Sequence, residues 1–249
     1  MQTIIPSTYQ VGFNETAGAV VLLMALAPYW LGPITIKFKQ SRPASPQGME
    51  PVADPAALSS QLAAFVRGSR GVLEALGFRS FATLKQGSGV VLLAEAEPGT
   101  VATALAIQKP DGRLHALLGF TTRLSGGAKI RTSNSPLPAI TPAPAGESRI
   151  RLPAEQNAGR LYAIHMRRVA DATAGGKRID PLTIGNPVAY QHGEELSSLA
   201  QFVASGYWRR NGDRLTLTWK GAFLSAWRLL PPWRGISRRR DERYAAALV

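Results

Sequence analysis

The sequence contains no cysteine and three histidines among its 249 residues. Without cysteine the chain can form no disulfide, no thiolate metal site and no cysteine nucleophile. His115, His165 and His192 are widely separated and lack the spacing of metal ligands. A glycine-rich phosphate loop before a helix and a serine nucleophile elbow are also missing. We therefore predict no metal, no cofactor and no catalytic residue, which indicates a protein that is not an enzyme.

Acidic side chains are scarce compared with basic ones. Lys and Arg number 29 and Asp and Glu number 16, which gives a formal net charge of +13. This balance favours contact with polyanions, either phospholipid headgroups or nucleic acid. Hydrophobic residues make up 45% of the chain, enough for one large or two small domains to bury cores.

Residues 17–36, AGAVVLLMALAPYWLGPITI, contain no charged side chain. About twenty such residues span the hydrocarbon core of a bilayer as a helix. Tyr29 and Trp30 suit the aromatic belt at headgroup level, and three cations follow the run: Lys37, Lys39 and Arg42. The sequence therefore predicts a transmembrane or membrane-anchor helix over 1–38. The positive-inside rule predicts the inner (cytoplasmic) membrane, with the N-terminus outside and the body cytoplasmic.

Pro28 and Pro33 leave alternatives open for this run. The helix spans the bilayer, enters it only as a re-entrant or interfacial anchor, or ends early as a core helix. A cleaved signal peptide needs a basic first region, which residues 1–16 lack.

The next part of the chain predicts a small α+β domain. Residues 39–54 are rich in Pro, Ser and Gly, which is typical of a linker. Asp54 and Pro55 are a typical helix start, and apolar residues recur at helical spacing up to Gly77. Strand-like runs separated by turn residues follow at 78–86, 89–97, 100–108 and 113–124, with a short fifth run, AKIRTS.

Short connections make neighbouring strands antiparallel, so these runs predict a β-meander. We assign 55–134 to a helix-plus-antiparallel-meander domain in which the helix covers one face of the sheet. PAS-like, profilin-like and cystatin-like folds share this outline, and the sequence does not choose among them. The proline-rich segment 135–158 is predicted to be a linker or an arm laid over the surface, outside the core.

The C-terminal part predicts helices around a hairpin. Residues 159–172 and 194–205 have helical patterns, and GYWRRNGDRLTLTWKG predicts a β-hairpin with Asn211-Gly212 in a type I′ turn. Phe223, Ala226, Trp227 and Leu230 then form a helical stripe that ends at Pro231-Pro232.

The order helix, hairpin, LTWKG and helix over 194–230 resembles the closing half of a winged-helix domain, so we assign 159–232 to a winged-helix-like unit. The resemblance implies possible wing contacts to DNA by Arg209, Arg210, Arg214 and Lys220. The helix before the wing, however, carries Glu194 and Glu195 and no cation, which argues against nucleic acid as a partner. From Asp54 onward, the segments LGF, GTVATA, TSNSP and LTWKGAF also look like an uncharacterised bacterial family with an N-terminal membrane segment, a resemblance that implies no activity.

Residues 233–249 form a predicted basic tail in which aromatic and aliphatic side chains alternate with arginines. This mixture suits an anionic headgroup interface. We assign seven interface residues near this end: Trp227, Arg228, Trp233, Arg234, Arg238, Arg239 and Arg240.

These observations lead to one main hypothesis and two alternatives. The main hypothesis is a non-catalytic membrane-anchored protein that exposes an interaction or sensory module at the cytoplasmic face, for example as an accessory subunit of a membrane complex. Its expected partners are the anionic inner leaflet and other membrane or cytoplasmic proteins. The alternatives are a membrane-tethered winged-helix DNA-binding regulator and an enzyme of unknown class built on the meander domain.

Overall fold

The chain has a mixed α+β fold with an N-terminal apolar helix and antiparallel sheets. The computed structural model describes residues 8–46, 48–97, 99–136, 143–181 and 184–248, with side chains from residue 17 onward. The helices are α1 (Thr8–Lys39), α2 (Ser60–Ala75), α3 (Ala158–Ala174), α4 (Pro187–Ala204), α5 (Trp219–Leu229) and α6 (Trp233–Ala246). The strands are β1 (Ser41–Pro43), β2 (Glu50–Pro51), β3 (Arg79–Gln86), β4 (Gly89–Ala96), β5 (Thr100–Gln108), β6 (Leu114–Leu124), β7 (Ala128–Ser133), β8 (Glu147–Arg151), β9 (Trp208–Asn211) and β10 (Arg214–Leu217).

Strands β3 to β7 form the predicted antiparallel meander, with bounds within one residue of the predicted runs. The full sheet has seven strands in the order β2-β3-β4-β5-β6-β7-β8, and β8 pairs with β7 in parallel. The predicted helix is present in two pieces. Asp54 caps a 3-10 turn at Pro55–Ala57, and α2 begins afterwards at Ser60.

Both faces of this sheet are covered, whereas the sequence predicted a cover for one. Alternate residues of a strand point to opposite faces, and β4 buries both sets. Val90 and Leu92 pack with α2 and α3, and Val91 and Leu93 pack against Ile184 and the start of α4. The sheet is therefore the central layer of the molecule.

The two predicted linkers need correction. Within 39–54, β1 pairs with β10 and β2 pairs with β3. Within 135–158, β8 extends the seven-stranded sheet, and Ile150 and the following Leu152 are buried. This part of the chain is therefore not an arm outside the core. Residues 137–142 of the predicted linker lie outside the described ranges. Short edge strands tolerate the proline-rich composition that suggested linkers.

The hairpin forms a second, three-stranded sheet in the order β1-β10-β9. The predicted two-residue turn at Asn211-Gly212 would pair Trp208 with Leu215, whereas in the structure Trp208 pairs with Leu217. The turn residues are consequently Gly212 and Asp213, and Gly212 has a φ of +61°. The displacement is two residues, so Trp208, Leu215 and Leu217 lie on the same face in either register, and all three are buried.

The C-terminal residues are not a free basic tail. Most of them form α6, which packs over the edge of β8. Asp241 Oδ2 accepts a hydrogen bond from the backbone N of Arg151 at 3.1 Å, and Ala245 joins the main core. The basic side chains of this segment are therefore held on a helix docked to the sheet.

Candidate membrane-facing site

Helix α5 is built with its small residues inside and its large apolar residues outside. Gly221, Ala222, Ser225 and Ala226 are buried. On the opposite side, the exposed fractions are 50% for Trp219, 44% for Phe223, 36% for Leu224 and 47% for Trp227. A surface helix in a water-soluble protein has the opposite arrangement, with its large apolar stripe facing the core. The outer surface of α5 is thus mainly apolar, with Lys220 as an exposed cation in its first turn.

The buried side of α5 packs closely against α1 and the hairpin. Tyr29, Gly32, Pro33 and Ile36 of α1 are buried or half-buried at a helical spacing of three or four residues. Gly221 is required at the hairpin, because an added Cβ atom would lie 2.1 Å from the backbone O of Tyr207. Small residues on α5 therefore permit the close approach of three elements.

Aromatic rings from α1, α5 and α6 form two sets of ring contacts along α5, which we together call the aromatic belt. Its ring contacts join Tyr29 to Trp227 at 5.6 Å and Trp227 to Trp233 at 5.7 Å. A second set joins Phe38 to Trp219 at 6.1 Å and Trp219 to Phe223 at 6.3 Å. The aromatic belt comprises Tyr29, Phe38, Trp219, Phe223, Trp227 and Trp233.

Most of the predicted interface residues lie on these three helices. Trp30 is exposed on α1, Lys39 is its exposed last residue, and Lys37 Nζ lies 6.0 Å from the centre of the Trp219 ring. Arg228 is half-buried near the end of α5. The four predicted cations of α6 are exposed: Arg234, Arg238, Arg239 and Arg240.

Arg42 does not lie with the other predicted interface residues. Its guanidinium carbon is 4.8 Å from the centre of the Trp208 ring and 5.1 Å from that of Phe202. Burial lowers the pKa of Arg42, and the nearby charge of Glu195 opposes that effect. The structure therefore places Arg42 between α4 and the hairpin.

The predicted wing cations are divided between solvent and internal contacts. Arg209 and Arg210 are exposed on β9. In contrast, Arg214 Nε donates to Ser41 Oγ at 2.7 Å, and Lys220 Nζ donates to the backbone O of Ser205 at 2.9 Å. Two of the four cations thus hold the hairpin to neighbouring segments.

The helix before the hairpin is docked on the seven-stranded sheet through Glu194. Its carboxylate accepts hydrogen bonds from Lys129, at 2.9 Å, and from Arg123 and Arg131. Burial opposes ionisation of Glu194, but the hydrogen bonds from Lys129 and Arg123 and the charges of Arg131 and Lys129 together outweigh it and lower the pKa of this carboxyl. From the sequence, Glu194 is expected to repel the phosphates of DNA. Its three cationic partners lie far away in the chain, so the local pattern does not identify them.

A buried polar network holds α3 to the sheet, and the sequence reasoning missed it. His165 is fully buried, with Nε2 2.9 Å from Thr122 Oγ1 and Nδ1 3.1 Å from Thr132 Oγ1. Arg168 donates to Thr132 Oγ1 at 2.8 Å and to Ser148 Oγ at 2.6 Å. Burial, assisted by the charge of Arg168, lowers the pKa of His165 to about 3. The imidazole is neutral and closed to solvent, which suits a structural role.

A groove with a volume of about 890 Å³ lies between α2, β3 and the start of α4. Arg67, Arg70 and Phe81 are among its walls, and its described lining residues include no Asp, Glu or His. Within the ranges that the structure describes, no group of three or more His, Asp and Glu side chains could hold a metal ion.

The structure defines an α+β protein whose N-terminal helix is long and apolar enough to cross a membrane. That segment is Ala17–Lys39, and 6% of its most apolar window is buried inside the protein. A signal sequence near an N-terminus can have the same length and composition. No protein-family model matches this chain, and no curated protein or solved structure matches it.

Proposed function

We propose that this is a non-catalytic, membrane-anchored protein that presents its seven-stranded sheet domain as an interaction module at the cytoplasmic face. The proposal rests on α5, whose small residues face the protein and whose large apolar residues are exposed. Contiguous exposed tryptophan and phenylalanine side chains in a protein surface mark a contact with lipid or with another protein. Small residues at helix–helix contacts with large apolar residues facing outward are typical of helices in lipid.

The position of α5 along α1 supports this role. The Tyr29 ring contacts Trp227 near the end of α5, and before it the side chains of residues 17–28 are exposed except for the half-buried Ala27. Twelve helical residues extend about 18 Å, and the full run 17–36 extends about 30 Å, the thickness of the hydrocarbon core. Helix α5 therefore lies beside the part of α1 that ends at Lys37 and Lys39, where the leaflet meets water.

The same packing favours retention of α1 over cleavage as a signal sequence. Pro33 is buried and Ile36 packs against the hairpin core that contains Trp208 and Leu217. Cleavage before these residues would uncover the small-residue side of α5. The cations that follow the run support the N-terminus outside and the body cytoplasmic, by the positive-inside rule.

The DNA-binding alternative receives no support from a specific contact. Glu194, at the helix that would enter the major groove, is held on the sheet by three cations. Reading a groove with that part of the helix would require breaking this buried cluster.

Cysteine labelling tests the proposal directly, because the chain has no cysteine of its own. Full-length variants Asn14→Cys and Asp111→Cys are expressed and exposed to a membrane-impermeant maleimide in intact cells. We expect labelling at position 14 in intact cells, labelling at position 111 only after permeabilisation, and a mass that retains α1. Both variants should remain in the membrane pellet after alkaline carbonate. Extraction by carbonate, loss of α1 or labelling of position 111 in intact cells would contradict the proposal.

A further inference from the structure

The groove between α2, β3 and the start of α4 lies at one edge of the seven-stranded sheet. The strand order places β2 and β3 at this edge, and β8, which contacts α6, at the opposite edge. Adjacent strands are about 4.8 Å apart, so the two edges are separated by roughly 29 Å. Helix α6 also contacts α5, whose rings belong to the aromatic belt. The groove therefore lies at the edge of the sheet that is farther from the belt.

Strand β3 is only partly covered at this edge. Strand β2 pairs with two of its residues, Leu84 and Lys85. Within the described ranges, no strand lies beside Arg79–Ala82 on that side. Phe81 and Ala82 of this open part line the groove. An open strand edge pairs readily with an extended segment of another chain.

Two arginines of α2, Arg67 and Arg70, bring positive charge to the groove. They are three residues apart, a spacing that makes them neighbours on the helix surface. Arg67 is exposed and forms no ion pair with a described residue. Arg70 Nε donates to Glu74 Oε1 at 2.8 Å, whereas its two terminal amino groups make no hydrogen bond with described residues. These donors are available to a carboxylate from outside the protein.

The position of Arg70 is fixed at the open part of β3. Its guanidinium carbon lies 4.8 Å from the centre of the Phe81 ring, a cation–π contact. Two acidic residues flank the β2 wall of the groove in the chain, and neither lines it. Asp54 accepts from the backbone N of Ala56 at 2.8 Å, and Glu50 lies opposite a lysine of β3.

The other walls of the groove are mainly apolar. They include prolines and valines from β2, the segment after it and the first turn of α4: Pro51, Val52, Pro55, Pro187 and Val188. The first turn of α4 is also the positive end of that helix, which favours negative charge. The groove thus combines an open strand edge, apolar walls and positive charge.

We infer that this groove binds an extended acidic segment of a cytoplasmic partner protein, which pairs with the open part of β3 and places carboxylates on Arg67 and Arg70. This inference rests on the proposed function, which places the sheet domain at the cytoplasmic face. Guanidinium groups match the geometry of a carboxylate through parallel N–H donors. A small carboxylate would use the arginines but would leave the strand edge unpaired.

The test uses the full chain in nanodiscs and a phage-displayed library of random peptides. We expect the selected peptides to be enriched in Asp and Glu over the starting library, and we expect Arg67→Gln/Arg70→Gln to lose that enrichment. Both side chains are exposed, so this double variant should fold. The matched control Arg209→Gln/Arg210→Gln removes two exposed cations from β9 and should select the same peptides as the unmodified chain.

The affinity of one selected peptide, measured by fluorescence anisotropy, tests the arginines and the strand edge separately. We expect the double variant to bind at least about tenfold more weakly, because each charge-assisted hydrogen bond contributes about that factor. Successive backbone N–H groups of a strand point to opposite sides. N-methylation of one alternate set of peptide amides should therefore abolish binding, and N-methylation of the other set should not.

The outcomes separate this inference from the proposed function. No acidic enrichment, or equal affinity for the double variant, would overturn the acidic partner. Equal weakening in the β9 control would indicate a non-specific charge effect and would also overturn it. Equal effects of the two N-methylated sets would overturn the pairing with β3. Each of these results leaves the membrane anchor intact, whereas extraction of the chain by carbonate would contradict the proposed function whatever the peptides do.

Discussion

His165 shows how a residue acquires its role from its surroundings. Both ring nitrogens lie within hydrogen-bonding distance of threonine hydroxyls, Thr122 on β6 and Thr132 on β7. A charged imidazolium in this buried place, beside Arg168, would be unstable. These contacts give both ring nitrogens of His165 a partner inside the core and link α3 to two neighbouring strands.

Because of His165, the free energy of unfolding should decrease as the pH is lowered. The pKa of His165 is about 3 in the folded protein and 6.5 in the unfolded chain. Below pH 6.5 the unfolded state binds more protons, so this contribution is complete above pH 6.5 and is lost as the pH falls toward 3. We expect His165→Gln to flatten the stability profile between pH 6 and 4 by about 1.4 kcal/mol per pH unit.

Urea unfolding of the detergent-solubilised full chain at stepped pH, followed by circular dichroism, measures this slope. His115→Gln is the control, since His115 is an exposed residue of β6. An unchanged slope in His165→Gln would show that the buried imidazole is not responsible.

Gly221 controls the approach of α5 to the hairpin. Because an added Cβ would lie 2.1 Å from Tyr207 O, Gly221→Ala requires α5 or the hairpin to move. We expect a loss of about 1–3 kcal/mol in the free energy of unfolding, the usual range for overpacking. Gly235→Ala is the matched control, since no heavy atom lies within 4 Å of its added Cβ, and it should be neutral or slightly stabilising. Thermal unfolding of both variants checks the difference.

At the scale of the element, α5 and α4 differ in what their exposed apolar residues indicate. Phe223 on α5 is 44% exposed and Leu196 on α4 is 49% exposed, so the protein itself shields them similarly. Phe223 belongs to the aromatic belt and Leu196 does not. A bilayer that covers the aromatic belt would shield Phe223 from water and leave Leu196 accessible.

Cysteine substitution at Phe223 and Leu196 measures how accessible each position is to a water-soluble reagent. In membranes we expect Phe223→Cys to react at least about tenfold more slowly with a water-soluble maleimide than Leu196→Cys, because charged reagents are excluded from the hydrocarbon region. In denaturing detergent the two should react alike. Equal rates in membranes would place α5 in water.

At the scale of the whole molecule, two units share the chain. The seven-stranded sheet has helices on both faces, and α6 covers the edge at β8. Helices α1 and α5 pack against each other and against β10 of the three-stranded sheet, and these elements form the second unit. This division separates the proposed anchoring surface from the sheet domain.

Removing residues 1–28 should separate anchoring from interfacial contact. The deletion ends before Tyr29, so the contacts of Tyr29 with Trp227 and of Gly32 with Ala226 are retained. We expect the shortened chain to lose its resistance to alkaline carbonate and to become extractable by salt, because the aromatic belt and arginines alone bind the headgroup region. Membrane fractionation at low and high salt measures this change. Resistance to both extractions in the shortened chain would show that α1 is not the principal anchor.

Several features of the fold follow from local patterns. Turn residues and alternating apolar residues predicted β3 to β7, and the strand bounds agree with the structure to within one residue. The short strands β1, β2 and β8 were not predicted, because their pairing depends on partners elsewhere in the chain. Arg42 was wrongly grouped with the interface residues for the same reason, because its aromatic neighbours lie on α4 and β9, far from it in the chain.

The sequence alone determined the apolar run, the order of helices α1 to α5 and of the meander strands, and the absence of cysteine chemistry. Tertiary structure decided which side of α5 faces inward, how both faces of the sheet are covered and where Glu194 and His165 find their partners. The reason is physical. Periodicity and turn preference act between residues close in the chain, whereas burial and pairing of a side chain depend on whichever segment folds against it.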